Sequence, residues 1–127
     1  RIEDGACAVG LQDLALALRA ATLGKPKEPR KETVEFNGQK YEVRQPSIVT
    51  RDRIMKDSKD DKGAQQLGRM CALAVIACTF IPGTDNRLYT DADLDGMLGQ
   101  PTGGFVDTLG NVAIRLMMEA PEQAGKA

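Results

Sequence analysis

The sequence predicts a mainly helical α+β domain with one small β-hairpin. Aromatic residues make up only 4% of the 127 residues and tryptophan is absent, so the core must be built from Leu, Val, Ile, Ala and Met, a composition that favours helices. Apolar residues recur at three- and four-residue steps in several segments, as in helices that bury one face. An Asn-Gly pair separates two runs in which apolar and charged residues alternate, which is typical of a hairpin.

Length and charge limit the functions that are open to the chain. It is expected to form one domain, in which residues 1–10 and 119–127 are flexible and residues 24–31 are a linker with two prolines among charges. The net charge is −1 and the basic residues form no extended patch, so nucleic acid is not an expected partner. The longest apolar run, residues 70–81, is too short to cross a bilayer, so no membrane partner is expected.

Cysteine use indicates a reducing compartment. Three cysteines are an odd number, and the sequence has no histidine to complete a zinc site. Cys71 and Cys78 lie two turns apart on a predicted helix, about 10 Å along its axis, which is too far for a disulfide. Both are expected to be small buried apolar side chains, whereas no role is assigned to Cys7. The chain is therefore expected in the cytoplasm.

Helices are predicted before and after the hairpin from the spacing of apolar residues. The first spans residues 11–23, with leucines on one face. A short helix capped by Ser47 or Thr50 follows the hairpin. After an exposed charged loop at residues 56–63, the central helix is predicted from residue 64 to 79. Because this helix is apolar on most sides, it should form the middle of the core.

The hairpin is predicted over residues 32–44, with the Asn-Gly pair as its two-residue turn. This register places Val34 opposite Tyr41 on one side and Glu35 opposite Lys40 on the other. The apolar side must be covered by a helix or a partner, because a lone hairpin is marginally stable in water. That side consists of Val34, Phe36, Tyr41 and Val43.

Residues 87–118 are predicted to form a capped short helix, a Gly/Pro turn and a longer amphipathic helix. Thr90 can cap the short helix, and Asp93 lies three residues further on, where a carboxylate favours the positive helix start. The longer helix begins near Thr102. Its apolar stripe contains Phe105, Val106, Leu109, Val112, Ala113 and Leu116.

The same segment also resembles part of a calcium site. Asp91, Asp93 and Asp95, followed by a glycine, match the front half of an EF-hand loop. The position where such a loop needs a bidentate glutamate is Thr102, and no helix leads into the loop. The capped helix is therefore the preferred interpretation, and a calcium-binding module is kept as an alternative.

No catalytic constellation is visible, so an enzyme is not expected and no cofactor is implied. Without histidine there is no imidazole base and no Ser-His or Cys-His pair. The glycines at residues 99–104 lack the preceding strand and the lysine of a phosphate-binding loop. Nothing indicates a cleft that would tune the three clustered aspartates.

The order of these pieces resembles the tail assembly chaperones of long-tailed bacteriophages. The resemblance covers residues 32–118 and includes the hairpin VEFNGQKYEVR, the helix start TRDR at residues 50–53 and the last helix FVDTLGNVAIRLM. Its most specific part is RLYTDADL at residues 87–94. Members of the family often have a more charged final helix and fewer glycines than this chain.

This resemblance implies a small, non-enzymatic protein of the host cytoplasm that self-associates. It would bind and solubilise the tape-measure protein and promote assembly of the tail-tube protein. A chaperone needs an exposed apolar or edge-strand surface, and two stripes are candidates. They are the hairpin side Val34, Phe36, Tyr41 and Val43 and the last-helix side Phe105, Leu109, Val112 and Leu116. The alternative in another class is a permanent structural or connector subunit of a phage particle.

Overall fold

The computed structural model describes residues 4–24 and 28–119 and shows a small α+β domain, as the sequence predicts. In chain order the elements are α1 (Asp4–Arg19) with a π-helical continuation (Ala20–Gly24), β1 (Lys31–Phe36), β2 (Gln39–Arg44), α2 (Ile48–Asp57), α3 (Leu67–Cys78), β3 (Thr79–Phe80), a 3₁₀ turn (Asp91–Asp93), α4 (Leu94–Leu98) and α5 (Phe105–Met118). The three strands form one antiparallel sheet in the order β1-β2-β3.

The hairpin has the predicted register and turn. Val34 pairs with Tyr41, and Asn37 and Gly38 have positive φ angles of 52° and 78°. Both residues of this kind of turn need positive φ, which explains the Asn-Gly pair. β1 starts at Lys31, one residue before the predicted boundary.

The third strand was not predicted, because the apolar run of the central helix continues into it. Thr79 and Phe80 leave α3 in extended conformation and pair with two residues of β2. Arg44 of β2 stabilises the pairing of β2 with β3. Its guanidinium lies 4.1 Å from the centroid of the Phe80 ring and donates to the carboxylate of Asp85 at 3.0 Å.

The core lies between α3, α5 and the inner side of the hairpin. Leu109 and Leu116 of α5 are fully buried, as are Cys71 and Cys78 of α3. α3 is thus the central core helix that the sequence predicts. α5 approaches α3 at Gly110, where a Cβ would lie 2.8 Å from the Cβ of Cys71.

α5 begins at Phe105, later than the predicted start near Thr102. Gly103 adopts a φ of 78°, a left-handed conformation that a helix cannot include. The carboxylate of Asp107 accepts a hydrogen bond from the Gly103 amide at 2.6 Å. The turn before the helix is therefore fixed by a glycine and by the first turn of α5 itself.

α1 begins at Asp4, whereas the sequence predicted a helix from Leu11 and a flexible segment before it. Residues 25–27 of the predicted linker and residues 120–127 of the predicted tail lie outside the described residues. In the part of the chain that is described, no helix combines the length and the apolar character needed to span a bilayer.

Candidate protein-binding surfaces

Apart from Phe36, the hairpin and last-helix residues predicted to bind protein belong to the core or pack against it, where β1 and β2 face α5. Val43, Leu109 and Leu116 are completely buried, because the hairpin needs a helix over its apolar side and α5 supplies it. These three side chains stabilise the fold and present no accessible surface. The other five are half-buried, and protein binding by them stays a prediction: Val34, Phe36, Tyr41, Phe105 and Val112.

Polar contacts hold the hairpin on α5. Arg115 of α5 donates to the Glu32 carboxylate at 2.7 Å, and this hydrogen bond lowers the pKa of Glu32 although partial burial acts in the opposite direction. Arg30 and Glu119 form an ion pair at 3.1 Å. These contacts join the hairpin to the last turn of α5 and to the residue that follows it.

α1 exposes apolar side chains. Five leucines are between 54% and 71% exposed: Leu11, Leu14, Leu16, Leu18 and Leu23. Leu11, Leu14 and Leu18 share one side of α1 and Leu16 lies on the opposite side, since each residue advances an α-helix by about 100°. Leu23 belongs to the π-helical continuation. Among the described residues, the main contact of α1 is with its own π-helical continuation, and residues 10–19 of α1 are all exposed. Helices with apolar residues on opposite sides are normally covered by other protein.

A groove of about 590 Å³ lies between α2, α3 and the segment 87–94. Its floor is apolar and consists of Ile54, Leu73, Ile76, Ala77, Phe80 and Leu94. Its rim carries three arginines and two aspartates: Arg53, Arg69, Arg87, Asp57 and Asp91. The guanidinium of Arg69 donates to the carbonyl oxygen of Asp57 at 2.8 Å. Within residues 4–24 and 28–119, none of these arginines forms an ion pair, so their charges are open to a ligand.

The sequence pattern does not show this groove, although two segments that border it, TRDR and RLYTDADL, stand out in the sequence. Arg53 ends the TRDR segment, whereas Arg87, Asp91 and Leu94 belong to RLYTDADL. The two segments meet because α2 and the segment 87–94 both border α3. Nothing in the spacing of the residues shows this, since the contact depends on where the chain returns after β3.

Of the three clustered aspartates, Asp93 serves local structure. The Asp93 carboxylate accepts a hydrogen bond from the Thr90 amide at 2.8 Å, which makes Thr90 and Asp93 a capping box at the start of the 3₁₀ turn. Asp91 points to the groove. Among the residues that the structure describes, no three acidic or cysteine side chains are placed to share a metal ion. The calcium alternative therefore gains no support.

The buried cysteines are packing residues, as predicted. Burial raises the pKa of the Cys78 thiol to about 12, so the thiol is protonated at neutral pH. Burial also raises the pKa of Cys71. A protonated, enclosed thiol is a poor nucleophile, and neither residue opens on the groove.

Comparison of the chain with protein-family models finds no match, and comparisons with curated proteins and with solved structures also find none.

Proposed function

We propose that the chain is a phage tail assembly chaperone that binds and solubilises the tape-measure protein in the host cytoplasm and promotes assembly of the tail-tube protein. The supporting observation is that two of the resembling segments, TRDR and RLYTDADL, converge. Arg53 from TRDR and Arg87, Asp91 and Leu94 from RLYTDADL line one groove.

The chemistry of the groove suits a helical segment of a client. Leu73, Ile76 and Phe80 can receive apolar side chains that repeat along one face of a helix. The rim arginines can donate paired hydrogen bonds to carboxylates beside those side chains. Arginine at the border of an apolar pocket is also a frequent source of binding energy in protein interfaces.

α1 adds apolar surface outside the groove. Its exposed leucines can contact the client or another copy of the chain, and both contacts suit a protein that coats a long client in many copies. A homo-oligomer is therefore part of the proposal.

The proposal is tested by co-expression with a phage tape-measure protein, followed by light scattering of the soluble fraction. We expect the client to be soluble only in a complex that holds many copies of the chain. The double variant Arg53→Glu/Arg87→Glu should lose this activity because it replaces both cationic groups at the groove. Arg51→Glu, on the same helix but outside the groove, should keep it.

Both variants must first show the melting temperature of the unchanged protein, so that lost activity is not lost folding. An unchanged client solubility, together with the chain being found in finished tails, would replace the chaperone proposal with that of a permanent structural subunit.

A further inference from the structure

The outer edge of β1 is unpaired in the part of the chain that the structure describes. The Gln45 amide donates to the Arg30 carbonyl at 2.8 Å, which extends the β1-β2 ladder by one pair. In an antiparallel ladder such bonded residues alternate with residues whose N–H and C=O groups point away. The even-numbered residues of β1 therefore bond to β2, and the backbone groups of Lys31, Thr33 and Glu35 point outward.

These three residues also share an exposed face. Their side chains are exposed, whereas the alternating residues Glu32 and Val34 are half-buried on the side of α5. Along the edge the side chains are positive at Lys31, neutral at Thr33 and negative at Glu35. Charges at an edge usually prevent pairing with other strands, but this order is complementary to itself when the strand is reversed.

We propose that two copies of the chain pair antiparallel along β1 about a two-fold axis at Thr33. In this register Lys31 of each copy lies opposite Glu35 of the other, and the two Thr33 residues face each other. All three residues use both outward backbone groups, and two cross-strand ion pairs form. The two sheets of three strands become one continuous sheet of six.

The other registers in which the outward backbone groups of the two copies face each other have less favourable charge pairs. If one strand slides by two residues relative to the other, Lys31 lies opposite Thr33, or Thr33 lies opposite Glu35, and both ion pairs are lost. If one strand slides by four residues, Lys31 of one copy lies opposite Lys31 of the other, or Glu35 lies opposite Glu35, which brings like charges together. The charge order therefore selects one register, and an isologous interface of this kind closes at a dimer.

The dimer and the client-binding proposal are separable. No β1 residue lines the groove between α2 and α3, and β1 contributes no residue to TRDR or RLYTDADL. A dimer-defective variant that still solubilises the client would show that only this inference depends on β1.

Sedimentation equilibrium of the full chain over a wide concentration range, at low salt, tests the proposal. We expect a monomer-dimer equilibrium in the unchanged protein. Lys31→Glu and Glu35→Lys should each raise the dimer Kd by about tenfold, because each reversal puts like charges together at both ends of the interface. The double reversal Lys31→Glu/Glu35→Lys restores both ion pairs and should bring the Kd back to within about threefold of the original.

Thr33→Pro provides an independent variant. Proline removes the outward amide of Thr33 while the β1-β2 ladder keeps all its bonds, a position that edge strands tolerate. We expect it to be monomeric with a circular dichroism spectrum like that of the unchanged protein. A monomeric unchanged protein would overturn the proposal. So would association that persists in Thr33→Pro, which would point to the leucines of α1, or a double reversal that fails to restore the dimer.

Discussion

At Gly110 the packing of α5 on α3 depends on the absence of a single carbon atom. A Cβ there would lie 2.8 Å from the Cβ of Cys71 and 3.1 Å from its Cα and its carbonyl oxygen. These atoms belong to the backbone of α3 or are bonded directly to it, so no rotamer change can relieve the overlap. The two helices would have to separate, and the buried leucines of α5 would lose contacts.

We predict that Gly110→Ala lowers the free energy of unfolding by about 1–3 kcal/mol, as overpacked cores do. The gain in helix propensity, about 1 kcal/mol, acts in the opposite direction and is included in that range. Urea denaturation measures the difference. Gly96→Ala in α4 is the matched control, because its Cβ would meet nothing within 4 Å and should leave stability unchanged or higher. Equal stability of Gly110→Ala and the unchanged protein would contradict the close helix approach.

Periodicity predicted that Leu109 and Leu116 lie on the apolar face of the last helix. It could not show that Gly110, between them, is the contact point, because this depends on which residue of α3 crosses α5. Nor could it show that the face is closed rather than left for a client. That outcome depends on the hairpin folding onto α5, a contact between segments far apart in the chain.

At the scale of elements, β2 is joined to the turn that follows β3 by a charged network. The guanidinium of Arg44 donates to Glu42 and to the carbonyl of Thr84, and the Glu42 carboxylate accepts from the Gly83 amide at 3.2 Å. The bond from Arg44 first, and that from Gly83 second, lower the pKa of Glu42 below its ordinary value of 4.5. The ionised carboxylate thus holds the short third strand against β2.

A pH-dependent loss of stability is expected from this network. Because the pKa of Glu42 is lower in the folded state than in the unfolded state, its contribution is complete above about pH 5 and is lost as the pH falls through the folded value. Glu42→Gln should destabilise the protein by about 1–3 kcal/mol at neutral pH, as lost hydrogen bonds to a charged group do. The difference from the unchanged protein should shrink below pH 4.5.

Thermal unfolding of both proteins across this pH range provides the measurement. Asp52→Asn removes an exposed ion pair and serves as the control, with an expected change of less than about 0.5 kcal/mol. A destabilisation by Glu42→Gln that is constant from neutral pH to pH 3 would argue against the ionised network.

Local chemistry decided which elements could be predicted. The hairpin follows from the Asn-Gly turn, and α2 follows from Ser47, whose hydroxyl accepts from the Thr50 amide at 3.2 Å. β3 has no such local signal. Its residues continue an apolar helical run, and pairing with β2 draws them out of the helix, which outweighs local preference.

In the molecule as a whole, the described chain divides into a packed body and a helix outside it. The body extends from β1 to α5 and contains all the fully buried side chains among the residues whose burial is described, 10–24 and 28–119. Residues 10 to 19 of α1 contribute none, since all of them are exposed. The stability of the body and the surface that α1 offers to other proteins should therefore respond to different substitutions.

We predict that the double variant Leu14→Ser/Leu18→Ser leaves the melting temperature of the body unchanged in dilute solution, because both side chains are more than half exposed. Leu109→Ala, which empties a fully buried site, should cost about 2–5 kcal/mol. Calorimetry of the two variants beside the unchanged protein measures this contrast.

A large fall in the melting temperature of the α1 variant would mean that α1 packs onto the body in solution, and its leucines would then be core rather than a binding surface. An unchanged melting temperature combined with weaker client solubilisation would assign those leucines to the client.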